Sequence, residues 1–361
     1  MKIIQILFTL CSGGAERFVV NLSNELARKG HDVTIVTIRH DRTQRYSFNK
    51  QFVNDNVKYH SMGFGQGFSL KMMRKVSRYV KENNPDVVHC HLNTIPFILP
   101  LVFSKKIIVY QTIHTLPEKD VGSRFRYVLN KIIYRPKLVR AVVISKLCEE
   151  SYEKVYGRRP YGLIINGSPA VQKTPDFDCA YKEITSYCEG QAPVFIHVAR
   201  YNPIKNQGLL VKAFNQIYTE GIAFKLFIIG RDFNSSEAKP LVDSACPNIY
   251  FIGEKNNVGD YLLQADAFCL TSHFEGLPIS LIEAMSAGVT PISTPVGGVL
   301  DVISDGITGY LSKDMSVEGY VEAIKKFIKS PIDKDVIENY YKNNYSIEKC
   351  ADSYVELYKS K

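Results

Sequence analysis

Residues 274–298 read FEGLPISLIEAMSAGVTPISTPVGG and place two carboxylates eight positions apart, Glu275 and Glu283. Glu275 precedes a Gly-Leu-Pro turn, and Glu283 stands on the helix that Pro278 is suited to open. Backbone N–H groups of the 276–279 turn attract anions. Ser280 and Ala287 share a side of that helix with Glu283, so a ligand can come close. A carboxylate there accepts two hydrogen bonds from a vicinal diol such as a ribose. Glu275 then serves a second hydroxylated group. A capped surface helix with a stray acid explains neither the turn nor the order of the residues.

Two further stretches carry chemistry. Arg200-Tyr201-Asn202-Pro203-Ile204-Lys205-Asn206 follows the apolar run 194–198. An arginine fork and a lysine point charge at a strand's carboxyl end converge on one diphosphate, although a solvated basic loop reads the same way. Ser12-Gly13-Gly14-Ala15-Glu16-Arg17 follows the first apolar run and opens a helix. Glycine there lets backbone approach a ligand, and the helix start attracts an anion; an ordinary tight turn is the alternative. The spacing is not G-x-G-x-x-G, and Arg39-His40, not an acid, ends the second strand, so a dinucleotide cofactor is not expected.

The elements that must position these residues alternate. Apolar runs at 2–8, 33–38, 86–90, 107–111 and 141–145 are separated by helical segments such as 15–29 and 72–83. A second series begins at 194–198 and continues at 225–230, 249–252, 267–271 and 290–293. Continuous apolar strands separated by helices imply parallel sheets covered on both faces. The chain of 361 residues therefore reads as two doubly wound α/β domains. They span 1–170 and 193–345, with a turn-rich linker at 171–192 and a terminal helix at 346–361 expected to pack back on the first. Ligands bind beyond the carboxyl ends of such strands, and two facing crevices suit an enzyme with two substrates.

Charge is divided unevenly. Residues 1–170 hold 27 Lys+Arg against 12 Asp+Glu, and the remainder holds 18 against 24. A basic half points to an anionic ligand or surface. The basic stretches 71–79, 124–127 and 131–140 could lie on anionic lipid or be solvated helix faces. Eight cysteines without a Cys-x-x-Cys pair read as reduced thiols in a cytoplasmic protein. The N-terminal apolar run reads as a buried strand rather than a signal peptide, and 94–103 is too short to span a bilayer. Asp176-Phe177-Asp178 resembles a metal–diphosphate motif but follows no strand, and His89 and His91 lack a third ligand, so no metal is expected.

The run Glu275-Gly-Leu-Pro-x4-Glu283-Ala-Met-x-Ala-Gly288, followed by Pro-x-Ser-Thr-Pro-x-Gly-Gly298, resembles retaining glycosyltransferase family 4. SGGAER, VVHCH, QTIHT, VISK, INGSP, HVARYNPIKN and ISDGITGYL extend the similarity over nearly the whole chain. The resemblance implies the GT-B fold: two Rossmann-like domains facing a central cleft, the first for the acceptor and the second for a nucleotide sugar. It implies that Arg200 and Lys205 hold the diphosphate and that Glu283 binds the ribose. Glu275 with the Gly276 and Leu277 amides would hold the donor sugar, and Gly13 and Gly14 would approach the phosphate and acceptor. His114 would sit beside the reacting centre. Gly230-Arg231-Asp232 departs from the Gly-Asp-Gly that members often carry near the base.

The expected activity is metal-independent, retaining transfer of a hexosyl group from a nucleotide sugar, a UDP-sugar before a GDP-sugar. The acceptor would be a glycan or lipid-linked molecule in cell-surface polysaccharide or glycolipid synthesis. The nucleotide sugar is a co-substrate, and neither a cofactor nor a nucleic-acid partner is implied. The protein would be cytoplasmic, with peripheral contact at the inner face of the membrane. A sugar-nucleotide epimerase of the same fold and a non-catalytic sugar-nucleotide binder are the rivals. A glycoside hydrolase fits less well, because its two acids must flank one bond.

Overall fold

Each apolar run preceding a helix forms a parallel strand. The computed structural model describes residues 1–104, 107–120, 122, 124–134, 138–187 and 192–360. These divide into two units, Met1–Ser168 with Ile347–Lys361, and Pro169–Ser346. The first holds β1 (Lys2–Leu7), β2 (Asp32–Arg39), β3 (Lys58–Phe64), β4 (Val87–His91), β5 (Ile108–Ile113), β6 (Arg140–Val143) and β7 (Gly162–Leu163). Their order is β3-β2-β1-β4-β5-β6-β7, parallel throughout. The second holds β8 (Val194–Val198), β9 (Lys225–Ile229), β10 (Ile249–Gly253), β11 (Ala267–Leu270), β12 (Thr290–Ser293) and β13 (Tyr310–Leu311). Their order is β10-β9-β8-β11-β12-β13, also parallel. The order in which successive strands are added reverses at one place in each sheet, between β1 and β4 and between β8 and β11, where such folds form their crevice.

Burial explains the strands. Ile3, Ile4, Ile6 and Leu7 of β1 are all inaccessible, as a strand covered on both faces requires. The helix Gly14–Arg28 brings Phe18, Leu22 and Leu26 onto one covered face. Each such side chain contributes about 1.5–3 kcal/mol on burial. The helix Leu70–Asn83 starts where Ser69 accepts the Met72 N–H at 3.2 Å, and it ends on Asn84 at φ 42°. In the second unit Phe195, Phe214, Phe224 and Phe327 pack in one core between the sheet and its helices.

The C-terminal helix Ile347–Lys359 buries Ile347, Cys350, Ala351, Tyr354 and Tyr358 at helical spacing. Its tyrosines reach β4 and β5: Tyr358 Oη lies 2.6 Å from His89 Nδ1, and Tyr354 Oη lies 2.9 Å from Thr112 Oγ1. These contacts make the helix part of the first unit.

The stretch 171–192, expected as a linker, is built into the second unit from Pro169 onward. It forms the helix Phe177–Ser186, with Ala180 and Ile184 buried one turn apart. Lys255 Nζ donates to Glu183 at 2.8 Å, Tyr261 Oη donates to the same carboxylate, and the Thr174 N–H donates to Asp260 at 2.8 Å. Turn residues on both sides hid so short an amphipathic helix; residues 188–191 lie outside the described residues. Strands β3, β7 and β13 were also not anticipated. β7 and β13 have two residues each, and β3 is a half-exposed edge strand without an apolar run.

Candidate active site

In the second unit the β8–β11 ladder pairs only two positions, Phe195 with Ala267 and Ile196 with Phe268. Beyond them the strands part, and their carboxyl ends deliver two loops. The loop after β8 carries Arg200 and Lys205. Asn202 Oδ1 accepts the Ile204 N–H at 2.9 Å and starts the turn Pro203–Lys205. The His273 N–H donates to the Ile204 carbonyl at 2.8 Å, and Thr271 Oγ1 donates to the Lys205 carbonyl at 3.1 Å. Gln207 Nε2 donates to the Arg200 carbonyl at 3.0 Å. The backbone is thus held at three carbonyls, while the Arg200 side chain is exposed. Gly230, at the end of β9, admits this loop: a Cβ there would stand 2.0 Å from the Ala199 oxygen.

The loop after β11 carries the first acid. Glu275 is 8% exposed. Its Oε1 accepts from Lys205 Nζ at 2.7 Å and from Ser272 Oγ at 2.5 Å. The sequence reading assigned Lys205 to a diphosphate and Glu275 to a sugar; in the structure the two side chains hold each other. A largely buried carboxylate needs such a partner, since an unpaired one is costly. Pro278 is the residue before the helix rather than its first, with φ −74° and ψ 116°, and the helix is Ile279–Ser286. Glu283 is half-buried on it, and Leu277 is buried beneath the turn.

The closing Gly-Gly pair has a packing cause. A Cβ on Gly297, at φ +53°, would stand 1.8 Å from the Glu275 carbonyl oxygen, and one on Gly298 1.8 Å from that of Gly276. The Gly298 N–H donates to the Glu275 carbonyl at 3.1 Å. Only glycine lets the two backbones meet and fix the acid's turn.

In the first unit, Gly13 is the extended residue before the helix Gly14–Arg28. A Cβ on it would meet Glu16 Oε2 at 2.2 Å. The close approach expected of an outside phosphate is here made by the chain's own carboxylate, which the helix start favours. Cys11 Sγ donates to Glu16 Oε1 at 3.2 Å. The sequence signal was present, since an acid in a helix's first turn often turns back on its start.

His114 follows β5. Its Nε2 lies 3.0 Å from His91 Nδ1, and His91 Nε2 lies 2.7 Å from Gln5 Oε1. Burial holds His114 down to about 4, and it holds His91 and His89 well below the ordinary histidine value. All three are neutral at pH 7. His89 is bonded by Tyr358 and, at 2.8 Å, by Thr112 Oγ1. The ring nitrogens of the suspected metal pair are therefore engaged by protein groups. Among the described residues no three His, Cys, Asp or Glu gather as metal ligands would. Asp176 and Asp178 lie exposed at the start of the helix Phe177–Ser186.

The structure thus gathers Arg200, Lys205, Glu275, Gly276, Leu277 and Glu283 in one unit and Gly13, Gly14 and His114 in the other. No sequence signal marks Ser272, Thr271 and Gln207, whose types are common in any loop or strand; only their partners give them meaning. The sequence reading weighs His91 only as a metal ligand, and its bonds to His114 and Gln5 come from the fold.

Residues 12–167 match the family model described as Glycosyltransferase Family 4, and residues 188–344 match glycosyl transferases group 1. The chain is 25% identical over 334 residues to an N-acetyl-alpha-D-glucosaminyl L-malate synthase of Bacillus anthracis, covering 88% of this chain and 85% of that one. It is 23% identical over 319 residues to the putative glycosyltransferase EpsF of Bacillus subtilis, covering 85% and 80%. A solved structure of Anabaena Alr3699/HepE in complex with UDP and glucose superposes with a TM-score of 0.79 at 16% identity, covering 100% of both chains.

Proposed function

Because the chain belongs to glycosyltransferase family 4 and has the GT-B fold, we propose that it transfers a hexosyl group from a nucleotide sugar, a UDP-sugar before a GDP-sugar, with retention of anomeric configuration. The acceptor is a glycan or a lipid-linked molecule of cell-surface polysaccharide or glycolipid synthesis. The observation that carries this reading is the exposed Arg200 on the same loop as Lys205, whose half-buried ammonium is bonded to the largely buried Glu275 carboxylate, the two loops leaving the sheet where its strand order reverses. The UDP and glucose bound by the Anabaena protein support the donor class.

In this reading Arg200 meets the diphosphate. Lys205 is shared between the diphosphate and Glu275. Among the described residues Glu275 Oε2 accepts no hydrogen bond, which leaves it for a sugar hydroxyl. Glu283 takes the ribose diol. The acceptor oxygen bonds to the anomeric carbon on the face from which the diphosphate leaves. The bond from that carbon to the phosphate oxygen breaks, and the departing phosphate takes the acceptor's proton. Charge develops on the diphosphate, where preorganised donors lower the barrier most, and these donors meet it without a metal. His114 serves near the reacting carbon in this proposal as a neutral ring, without bringing a charge. An epimerase is less favoured, because His114 is tied to His91 and Glu275 to Lys205, so these two side chains are not a carboxylate–histidine pair poised to move protons.

The basic first half meets an anionic membrane in this proposal. Phe68 and Leu70 are 52% and 60% exposed at the start of the helix Leu70–Asn83, which also presents Lys71, Arg74, Lys75 and Arg78. Val128 and Ile132 are exposed one turn apart beside Lys131. Part of the basic stretch 131–140 lies outside the described residues. No helix among the described residues is long and apolar enough to cross a membrane, so this contact is peripheral.

The deciding experiment is a thermal-shift panel of UDP-, GDP- and ADP-sugars with their free nucleotides and no added metal. One nucleotide class should raise the Tm, and Glu283→Ala should abolish the rise. Absence of any shift refutes the donor site.

A further inference from the structure

Where the β8–β11 ladder stops, a side chain takes over from the backbone. The next facing pair would be His197 and Cys269, one position beyond Ile196 and Phe268. Instead the His197 ring meets the Cys269 carbonyl, with Nδ1 at 2.8 Å. A carbonyl only accepts, so Nδ1 carries the hydrogen. His197 is fully inaccessible, and burial, with a smaller contribution from nearby Lys205, holds it down to about 4. The ring is neutral, and Nε2 is a bare lone pair.

Gln207 is the first residue of the helix Gln207–Thr219 and is 2% exposed. Its Nε2 lies 3.4 Å from His197 Nε2 and 3.0 Å from the Arg200 carbonyl oxygen. Both targets only accept, so the amide nitrogen must face them and donate one hydrogen to each. Oε1 then takes the Asn202 N–H at 3.5 Å. No flip of the amide satisfies all three. Strand β11, strand β8 and the loop bearing Arg200 are joined through these two side chains.

We propose that His197 and Gln207 are positioning residues of the donor site: the buried imidazole orients the Gln207 amide, and the amide fixes the Arg200 carbonyl so that the guanidinium is preset for a diphosphate. The inference rests on the reading of Arg200 as a diphosphate ligand. Neither residue touches substrate. Their effect is to remove the cost of ordering the loop when the ligand arrives, which is how preorganisation raises affinity.

The test is a double-mutant cycle on UDP affinity by calorimetry, using GDP or ADP instead if the unaltered protein binds one of them more tightly. Arg200→Ala should weaken binding about 10- to 100-fold, as loss of a charge-assisted contact does. Gln207→Leu should weaken it about tenfold, and the double variant should bind no worse than Arg200→Ala alone. A structural role without connection to Arg200 would instead lower the Tm and multiply the two losses. Gln207→Glu keeps the size but loses the paired donation; it should bind as weakly as the leucine variant, and it carries the cycle if that one fails to fold. Full affinity in either Gln207 variant, or multiplied losses, overturns the proposal while leaving the donor site intact. Full affinity in Arg200→Ala, or no binding of any nucleotide by the unaltered protein, sinks both.

Discussion

The two cations of the loop after β8 have different partners, and this assigns them different consequences. Arg200 is exposed, so its removal costs little structure, as at most surface sites. Arg200→Ala should lower kcat/KM by roughly 2–4 kcal/mol of transition-state stabilisation while the Tm stays nearly constant. Steady-state kinetics beside a melting curve checks this, and unchanged turnover refutes the role. Lys205 instead covers a buried carboxylate at 2.7 Å. Lys205→Ala should lose activity and also about 1–3 kcal/mol of stability, because a largely buried carboxylate loses its hydrogen-bonded partner. A denaturant titration separates the two variants. Glu275, Arg200 and Lys205 were legible as candidates because acid, fork and ammonium are rare in one glycine-rich context. The bond between Lys205 and Glu275 was not legible, since seventy residues separate them in the chain.

At the scale of elements, the site depends on close backbone contacts and on buried histidines at strand ends. Gly298→Ala would put a methyl 1.8 Å from the Gly276 oxygen. It should cost about 1–3 kcal/mol, as overpacking does, and should lower activity by shifting the Glu275 turn; an unchanged Tm would refute that contact. The histidines bear on pH. His114 and His197 are held down to about 4, and His89 and His91 well below 6.5, mainly by burial. The unfolded chain takes these protons near pH 6.5. Between the two values the unfolded state binds more protons, so stability is whole above pH 6.5 and falls as pH drops toward 4. The slope is about 1.4 kcal/mol per pH unit for each group. A Tm that stays level from pH 7 to 4.5 would contradict neutral buried rings. The pairing of His89 and His91 on one face of β4 could be read from their spacing. Their use could not, because Tyr354 and Tyr358 come from the other end of the chain.

At the scale of the molecule, the surplus of positive charge in residues 1–170 sits in the half whose exposed apolar residues include Phe68, Leu70 and Phe103. Basic residues around exposed apolar side chains favour an anionic lipid surface, and screening weakens that attraction. The protein should float with anionic vesicles at low salt and be released by about 0.5 M salt, beyond the range of such attraction; failure to float at low salt would refute the contact. Fold class was legible because two series of β-branched runs alternate with helices, a pattern that only covered parallel sheets bury on both faces. Boundaries were less legible. The segment 171–192 reads as a linker from its turn residues, yet two buried residues, an ion pair and a capped loop suffice to fasten it to the second unit.

The sequence by itself determined what is local or periodic: the strand and helix alternation, the glycines, and the chemical types at Arg200, Lys205, Glu275 and Glu283. Periodicity and residue type are properties of neighbours in the chain, so burial and donor chemistry follow from them. Tertiary structure alone decided which distant groups meet: Lys205 and Glu275, His197 and the Cys269 carbonyl, and the C-terminal tyrosines and the histidine strands. Hydrogen bonds act over about 3 Å, and only the folded chain brings groups seventy or more residues apart within that reach.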